Sequence, residues 1–344
     1  MKKVFAFLAF FSLTFNSNAQ NKFTSQDSIR VFYDTLFTVM KNEYLHKNSV
    51  NWTEIEPKIR RNLNQYSDFQ SSLKEITPFF DFAKASHCTV FFNDQEFTST
   101  HIQPTENEFS TQWIKKYSTN PAFEVKILDN QFGYILMPSN GTLDNIGDTI
   151  HIVAQKMHDQ ICEIKDKKSL KGWIIDLRHN TGGNCYPMLL ALYDFLGDNN
   201  IWGVLDIEKK LKSSIKLSKG KYIDNNETIS FIKPKGKTLT KSKVAILTNI
   251  VTASSGEITA IAFKGRENTI FIGETSYGAT TSNDKRELPF GAIMALTTGY
   301  DSDRNNVFYE KINPDIIISK QDNFDNLLID ENIKAAIKFI TEKK

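Results

Sequence analysis

The chain has 344 residues, 40% hydrophobic and 24% charged, with a formal net charge of +2. That balance leaves no basic excess to suggest a nucleic-acid partner. The cysteines Cys88, Cys162 and Cys185 are an odd number, so at least one is a free thiol or pairs between chains.

The chain opens on Met1-Lys2-Lys3, an apolar run from Val4 to Phe15, and the small polar stretch Asn16-Ser17-Asn18-Ala19. This pattern reads as a secretory signal peptide over residues 1–19, too short to span a bilayer stably. Cleavage after Ala19 removes Lys2 and Lys3 and brings the formal charge to 0. No cysteine stands at the cleavage point to carry a lipid. No later segment is apolar for the ~18 residues that a spanning helix needs. The expectation is an exported, soluble chain, periplasmic or extracellular, with no stable membrane anchor.

Residues 20–85 read as a helical region. One amphipathic run begins near Asp27 and continues through Met40. A second carries Trp52, Ile55, Ile59 and Leu63 behind Asn51 as its cap. A third holds Leu73, Ile76, Phe79 and Phe80, with Pro78 expected to interrupt it. Ala85-Ser86-His87-Cys88 then opens the apolar strand Thr89–Phe92. Residues 97–122 are polar and read as a loop or a short helical insertion. From Gly133 strand and helix alternate, which predicts an α/β core over residues 130–320. Lys209–Thr240 reads as a polar strand excursion beside a cleft, and Asp325–Ile340 as a closing helix.

Two stretches carry chemistry. The buried strand Trp173-Ile174-Ile175-Asp176 runs into Leu177-Arg178-His179-Asn180-Thr181-Gly182-Gly183. The glycine pair permits dihedrals that turn backbone N–H groups toward one point, a cradle for a developing oxyanion. The strand Val244–Thr248 leads through Asn249–Ala253 to Ser254-Ser255-Gly256-Glu257 and a helical run. A serine at a helix start stands beside unpaired N–H groups and the positive end of the helix dipole. An ordinary N-cap is the other reading of such a serine.

These stretches resemble peptidase family S41, the C-terminal-processing or tail-specific serine peptidases. The first is similar to its Asp-Leu-Arg-x-Asn-x-Gly-Gly motif and the second to its Ser-Ala-Ser-Ala-Ser-Glu segment. Ile272-Gly273-Glu274-Thr275-Ser276-Tyr277-Gly278 is similar to its Gly-Glu-x-x-x-Gly strand end, and Pro314-Asp315-Ile316 to its closing motif. The resemblance implies a crotonase-like or ClpP-like mixed sheet-and-helix core behind a small N-terminal helical region. It assigns residues 86–344 to the catalytic domain. It implies Ser254 as nucleophile, and the N–H groups of Ser255 and of Gly182 or Gly183 as the oxyanion hole. The sequence holds no His-Glu-x-x-His and no Cys-x-x-Cys, so neither metal nor cofactor is expected. Residues 93–132 are too few for the PDZ domain that many members insert there.

Many members carry a lysine after the last glycine of the third motif, where this chain has Ala279. The branch that includes the tricorn core protease uses instead a histidine from an upstream Ser-His pair. Ser86-His87 resembles that pair, so His87 is the expected general base, with Ser86 and Glu310 as its orienting groups. Glu257 and Glu274 are expected to serve the structure around the site. His46, His101, His151 and His158 read as surface residues, and His179 as a residue that lines the site or faces solvent. Cys88 and Cys185 are either buried thiols, like Cys162, or a disulfide. The expected function is hydrolysis of peptides or unfolded protein segments by a serine endopeptidase. The alternative is a catalytically inactive peptide- or lipid-binding protein on the same scaffold.

Overall fold

The computed structural model describes residues 24–100, 104–141, 147–166 and 170–342. The signal-peptide reading of residues 1–19 lies outside them, as does His101. The strands, in chain order, are β1 (Thr89–Phe92), β2 (Gln95–Thr98), β3 (Glu124–Leu128), β4 (Phe132–Leu136), β5 (Gly172–Asp176), β6 (Asn199–Leu205) and β7 (Leu211–Ser218). Then come β8 (Lys221–Asp224), β9 (Glu227–Phe231), β10 (Lys243–Thr248), β11 (Thr269–Gly273), β12 (Thr281–Glu287), β13 (Ile293–Asp303) and β14 (Ile316–Ile317).

They form two sheets. One has six strands in the order β14-β11-β10-β5-β4-β3. It is parallel except for the β3–β4 pair. Its central strands are apolar on both faces, as parallel strands covered by helices must be. On β5, Trp173 and Ile175 face one core with the helix Gly147–Lys165. Ile174 faces another with the helix Glu331–Thr341. β10 repeats the alternation, with Val244 and Ile246 in the first core and Ala245 and Leu247 in the second. Burying each such side chain stabilises by roughly 1.5–3 kcal/mol.

The eight-stranded sheet runs β2-β1-β13-β6-β7-β8-β9, with β12 paired to β13. The Lys-rich excursion is β7, β8 and β9. A third core joins β1 and β13 to the helices Ser25–Glu43, Trp52–Leu63 and Ile76–Ala83 through Phe37, Ile59, Phe79, Val90 and Met294.

Pro78 does not interrupt its helix. It is the third residue of Ile76–Ala83, where a missing N–H removes no intrahelical bond. Within 97–122 the helix Thr111–Tyr117 stacks Trp113 on His179, with centroids 4.9 Å apart. No helix among the described residues is long and apolar enough to cross a membrane.

Candidate active site

Parallel neighbours deliver their C-terminal loops to the same edge of a sheet, and β5, β10 and β11 do so here. The loops are bonded to one another. Leu177 N donates to Leu247 O at 2.9 Å, Ala253 N to Asn180 O at 3.1 Å, and Tyr277 N to Thr252 O at 2.9 Å. Arg178 anchors the glycine loop from beneath through buried ion pairs with Asp176, Asp322 and Asp330.

Ser254 joins β10 to the helix Ser255–Ile261 with φ 50° and ψ −117°. A non-glycine residue in that region is strained by about 1–3 kcal/mol and persists only where its surroundings hold it. The buried carboxylate of Glu257 is such a hold. It accepts from Ser254 N at 3.1 Å, Gly278 N at 2.8 Å, Ala279 N at 2.7 Å and the Ser276 hydroxyl. Burial pushes its carboxyl up, against these four donors. Glu274 accepts from Asn249 Nδ2 at 2.8 Å and from the Ser319 hydroxyl.

The glycine loop lies against the serine. A Cβ added to Gly182, at φ 122°, would stand 3.2 Å from Ser254 Cβ and 3.7 Å from its Oγ. Gly182 N is engaged by Asn180 Oδ1 at 3.1 Å. Ser255 Oγ donates to Gly183 O at 2.6 Å.

The histidine arrives from the other sheet. His87 precedes β1, and its carbonyl accepts from Asn283 Nδ2 of β12 at 2.9 Å. Its Nε2 lies 3.2 Å from Ser254 Oγ. Its Nδ1 lies 2.6 Å from Thr281 Oγ1. Thr281 thus takes the place that the sequence reading set for Glu310. Glu310 is exposed, and its carbonyl accepts from Thr280 Oγ1 at 3.1 Å. Ser86 is exposed and lines the cleft. Thr281 carries no motif of its own and the sequence reading did not find it; its proximity in sequence to Ala279 is the one signal that could have done so.

Around the pair opens a cleft of about 330 Å³. The N-terminal part of the chain lines it with Tyr44, His46, Lys84, Ser86, Thr89 and Thr98, the core with Thr181, Ala253, Tyr277 and Ala279. Lys264 is not among the lining residues and lies over the Phe271 ring, 3.6 Å from its centroid. Lys285 is exposed on β12, also outside the lining.

Two histidines differ from the surface reading. His46 lines the cleft, and burial holds it below its usual value. His158 is fully buried, because its face of the helix Gly147–Lys165 turns inward. His158, Cys162 and Asp194 bring their ligand atoms within 4.8 Å of one another. The ammonium of Lys165 already pairs with Asp194 there, and also bonds the carbonyls of Lys235 and Lys237. His179 is buried against Trp113 and is not among the residues lining the cleft. All three cysteines are buried free thiols.

The sequence profile of peptidase family S41 matches residues 131–318. The chain is 33% identical over 152 residues to a nisin-resistance protein of Lactococcus lactis subsp. lactis, a match covering 44% of this chain and 47% of that one. It is 30% identical over 144 residues to the carboxy-terminal processing protease CtpA of Bacillus subtilis (strain 168), covering 42% of this chain and 27% of that one. The matches thus span about half or less of these relatives' length. A lipoprotein from Streptococcus agalactiae has a similar structure, with a TM-score of 0.63 and 25% identity, over 85% of this chain and 92% of that chain.

Proposed function

The chain belongs to peptidase family S41, and from that premise we propose that it is an exported serine endopeptidase acting on peptides or unfolded protein segments. The observation that carries the reading is the strained Ser254 with its Oγ 3.2 Å from His87 Nε2. Ser254 also caps its helix, but a nucleophile and base at hydrogen-bond distance are what acyl transfer needs.

His87 is the base. With its proton on Nδ1, donated to Thr281 Oγ1, the Nε2 lone pair faces the serine. Ser254 Oγ attacks the scissile carbonyl carbon as its proton passes to Nε2. The N–H groups of Ser255 and Gly183 hold the oxyanion. Gly183 is the donor chosen from the glycine pair because Asn180 engages the N–H of Gly182. The imidazolium then protonates the departing amine, and water, activated by the same histidine, hydrolyses the acyl-serine ester. Ala279 cannot take a proton, and His87 makes a lysine there unnecessary.

Export rests on the Met1–Ala19 pattern and on the lipoprotein among similar structures. The relative named for nisin resistance directs the first assays to short peptides. The test is the chain from Gln20 incubated with a serine-directed phosphonate and with a peptide library. Labelling and cleavage by wild type, both abolished in Ser254→Ala and His87→Ala proteins of unchanged circular dichroism, are the expected result. An unlabelled wild type that leaves the library intact would make the inactive binding protein the better account.

A further inference from the structure

The charge of the cleft goes one step beyond the peptidase reading and rests on it. Among the described residues that line the cleft, Lys84 is the one lysine or arginine, and none is aspartate or glutamate. Lys84 ends the helix Ile76–Ala83 in the left-handed conformation, φ 53° and ψ 36°, with its N–H bonded to the carbonyls of Asp81 and Phe80. Its carbonyl accepts from Tyr44 Oη at 3.0 Å, and Tyr44 lines the same cleft. The backbone is therefore pinned, while the residue is exposed and its ammonium has no ion pair among the described residues. Asp81, one turn back on the same helix, is occupied by the N–H and hydroxyl of Thr100 at 2.6 Å and 2.7 Å. A lysine with no opposing charge at the edge of a cleft attracts an anion more strongly than one on open surface, because low-dielectric walls focus its field.

We propose that Lys84 is a specificity-determining residue that selects substrates with a carboxylate close to the scissile bond. The carboxylate comes from an aspartate or glutamate side chain or from the C-terminus of the substrate.

The test uses quenched-fluorescent peptides that differ in a single Glu or Gln moved along either side of the cleaved bond. Each is made as the free acid and as the C-terminal amide. Wild type should favour Glu over Gln at one position by about fivefold in kcat/KM, the upper end for an ion pair open to solvent. Added salt should shrink that ratio. Lys84→Met should bring it to about one, and Lys84→Glu should invert it. A preference confined to free acids over amides names the terminus as the source. Binding of the same peptides to the Ser254→Ala protein, read by fluorescence anisotropy, should give the same order without turnover. Equal rates and equal binding for Glu, Gln, acid and amide peptides would overturn the proposal even if cleavage is robust. Lys84-dependent binding without any cleavage would uphold the proposal and refute the peptidase reading instead.

Discussion

His87 Nδ1 and Thr281 Oγ1 lie 2.6 Å apart, so the imidazole of the candidate base is held by a hydroxyl. A hydroxyl holds the ring angle as a carboxylate would, but it can donate as well as accept, so the tautomer with Nδ1 donating is the one the mechanism uses rather than one this bond alone imposes. The hydroxyl adds no negative charge to balance the imidazolium that forms as Ser254 attacks. The base is oriented but not electrostatically assisted through Nδ1 by this bond.

Replacing Thr281 with valine keeps the shape and removes the hydroxyl. Thr281→Val should lower kcat by about 10- to 100-fold, with KM nearly unchanged, since the histidine then loses the bond that holds its ring angle. Thr281→Ser should keep most of the activity. Steady-state kinetics on one peptide decide it, and a fully active Thr281→Val enzyme would remove Thr281 from the mechanism.

The two loop glycines should fail in different ways. A methyl at Gly182 meets Ser254 Cβ at 3.2 Å, and one at Gly183 meets Asn140 O at 1.9 Å. Gly182→Ala should lose about 10²- to 10³-fold in kcat, because its methyl presses on Ser254 and shifts the adjoining Gly183 donor, with a moderate fall in Tm from the strained φ of 122°. Gly183→Ala should lose activity and lower Tm clearly, because backbone must move. Equal melting temperatures for the two variants would contradict this geometry.

Glu257 accepts from three backbone N–H groups and one hydroxyl. An amide at that position turns its NH2 toward donors that need an acceptor. Glu257→Gln should destabilise by about 3 kcal/mol or more in urea unfolding, each stranded buried group costing roughly 1–3 kcal/mol. Ser254 should lose its strained backbone at the same time, so phosphonate labelling should fall too. A variant with native stability would show that the carboxylate is not the hold on the elbow.

Stability should vary with pH through two buried groups of opposite sign. Burial raises Asp301 to about 7, against the Ser282 hydroxyl and with help from the nearby Glu257 charge. The folded state keeps a proton that the unfolded chain releases near ~3.9. Its contribution is full below that value and is lost as pH rises to about 7. Burial lowers His179 to about 4, against the pull of Asp176. The unfolded chain takes up that proton near ~6.5. This contribution is full above that value and is lost as pH falls to about 4. Asp301→Asn should flatten the first loss and His179→Phe the second, in urea titrations across the same range. Unchanged profiles in both variants would contradict these assignments.

Local pattern was enough for much of the molecule. The apolar runs Trp173–Ile175 and Val244–Leu247 read as buried strands and are the centre of the six-stranded sheet. The order of the motifs around them was enough for the family and for the turn that carries Ser254. Other features depend on pairing between distant parts of the chain. His87 reaches Ser254 across 167 residues and Thr281 across 194, because β1 and β12 both pair with β13. No window of sequence contains such a contact, so Glu310 looked as good a partner as any. Pro78 and His158 were misread for a related reason. The cost of a proline depends on which turn of the helix it enters, and the exposure of a histidine on which face of its helix meets a core. Periodicity and motif order are local and can be read along the chain. The partner of an imidazole, and the charge of the cleft around it, are decided only when two sheets pack.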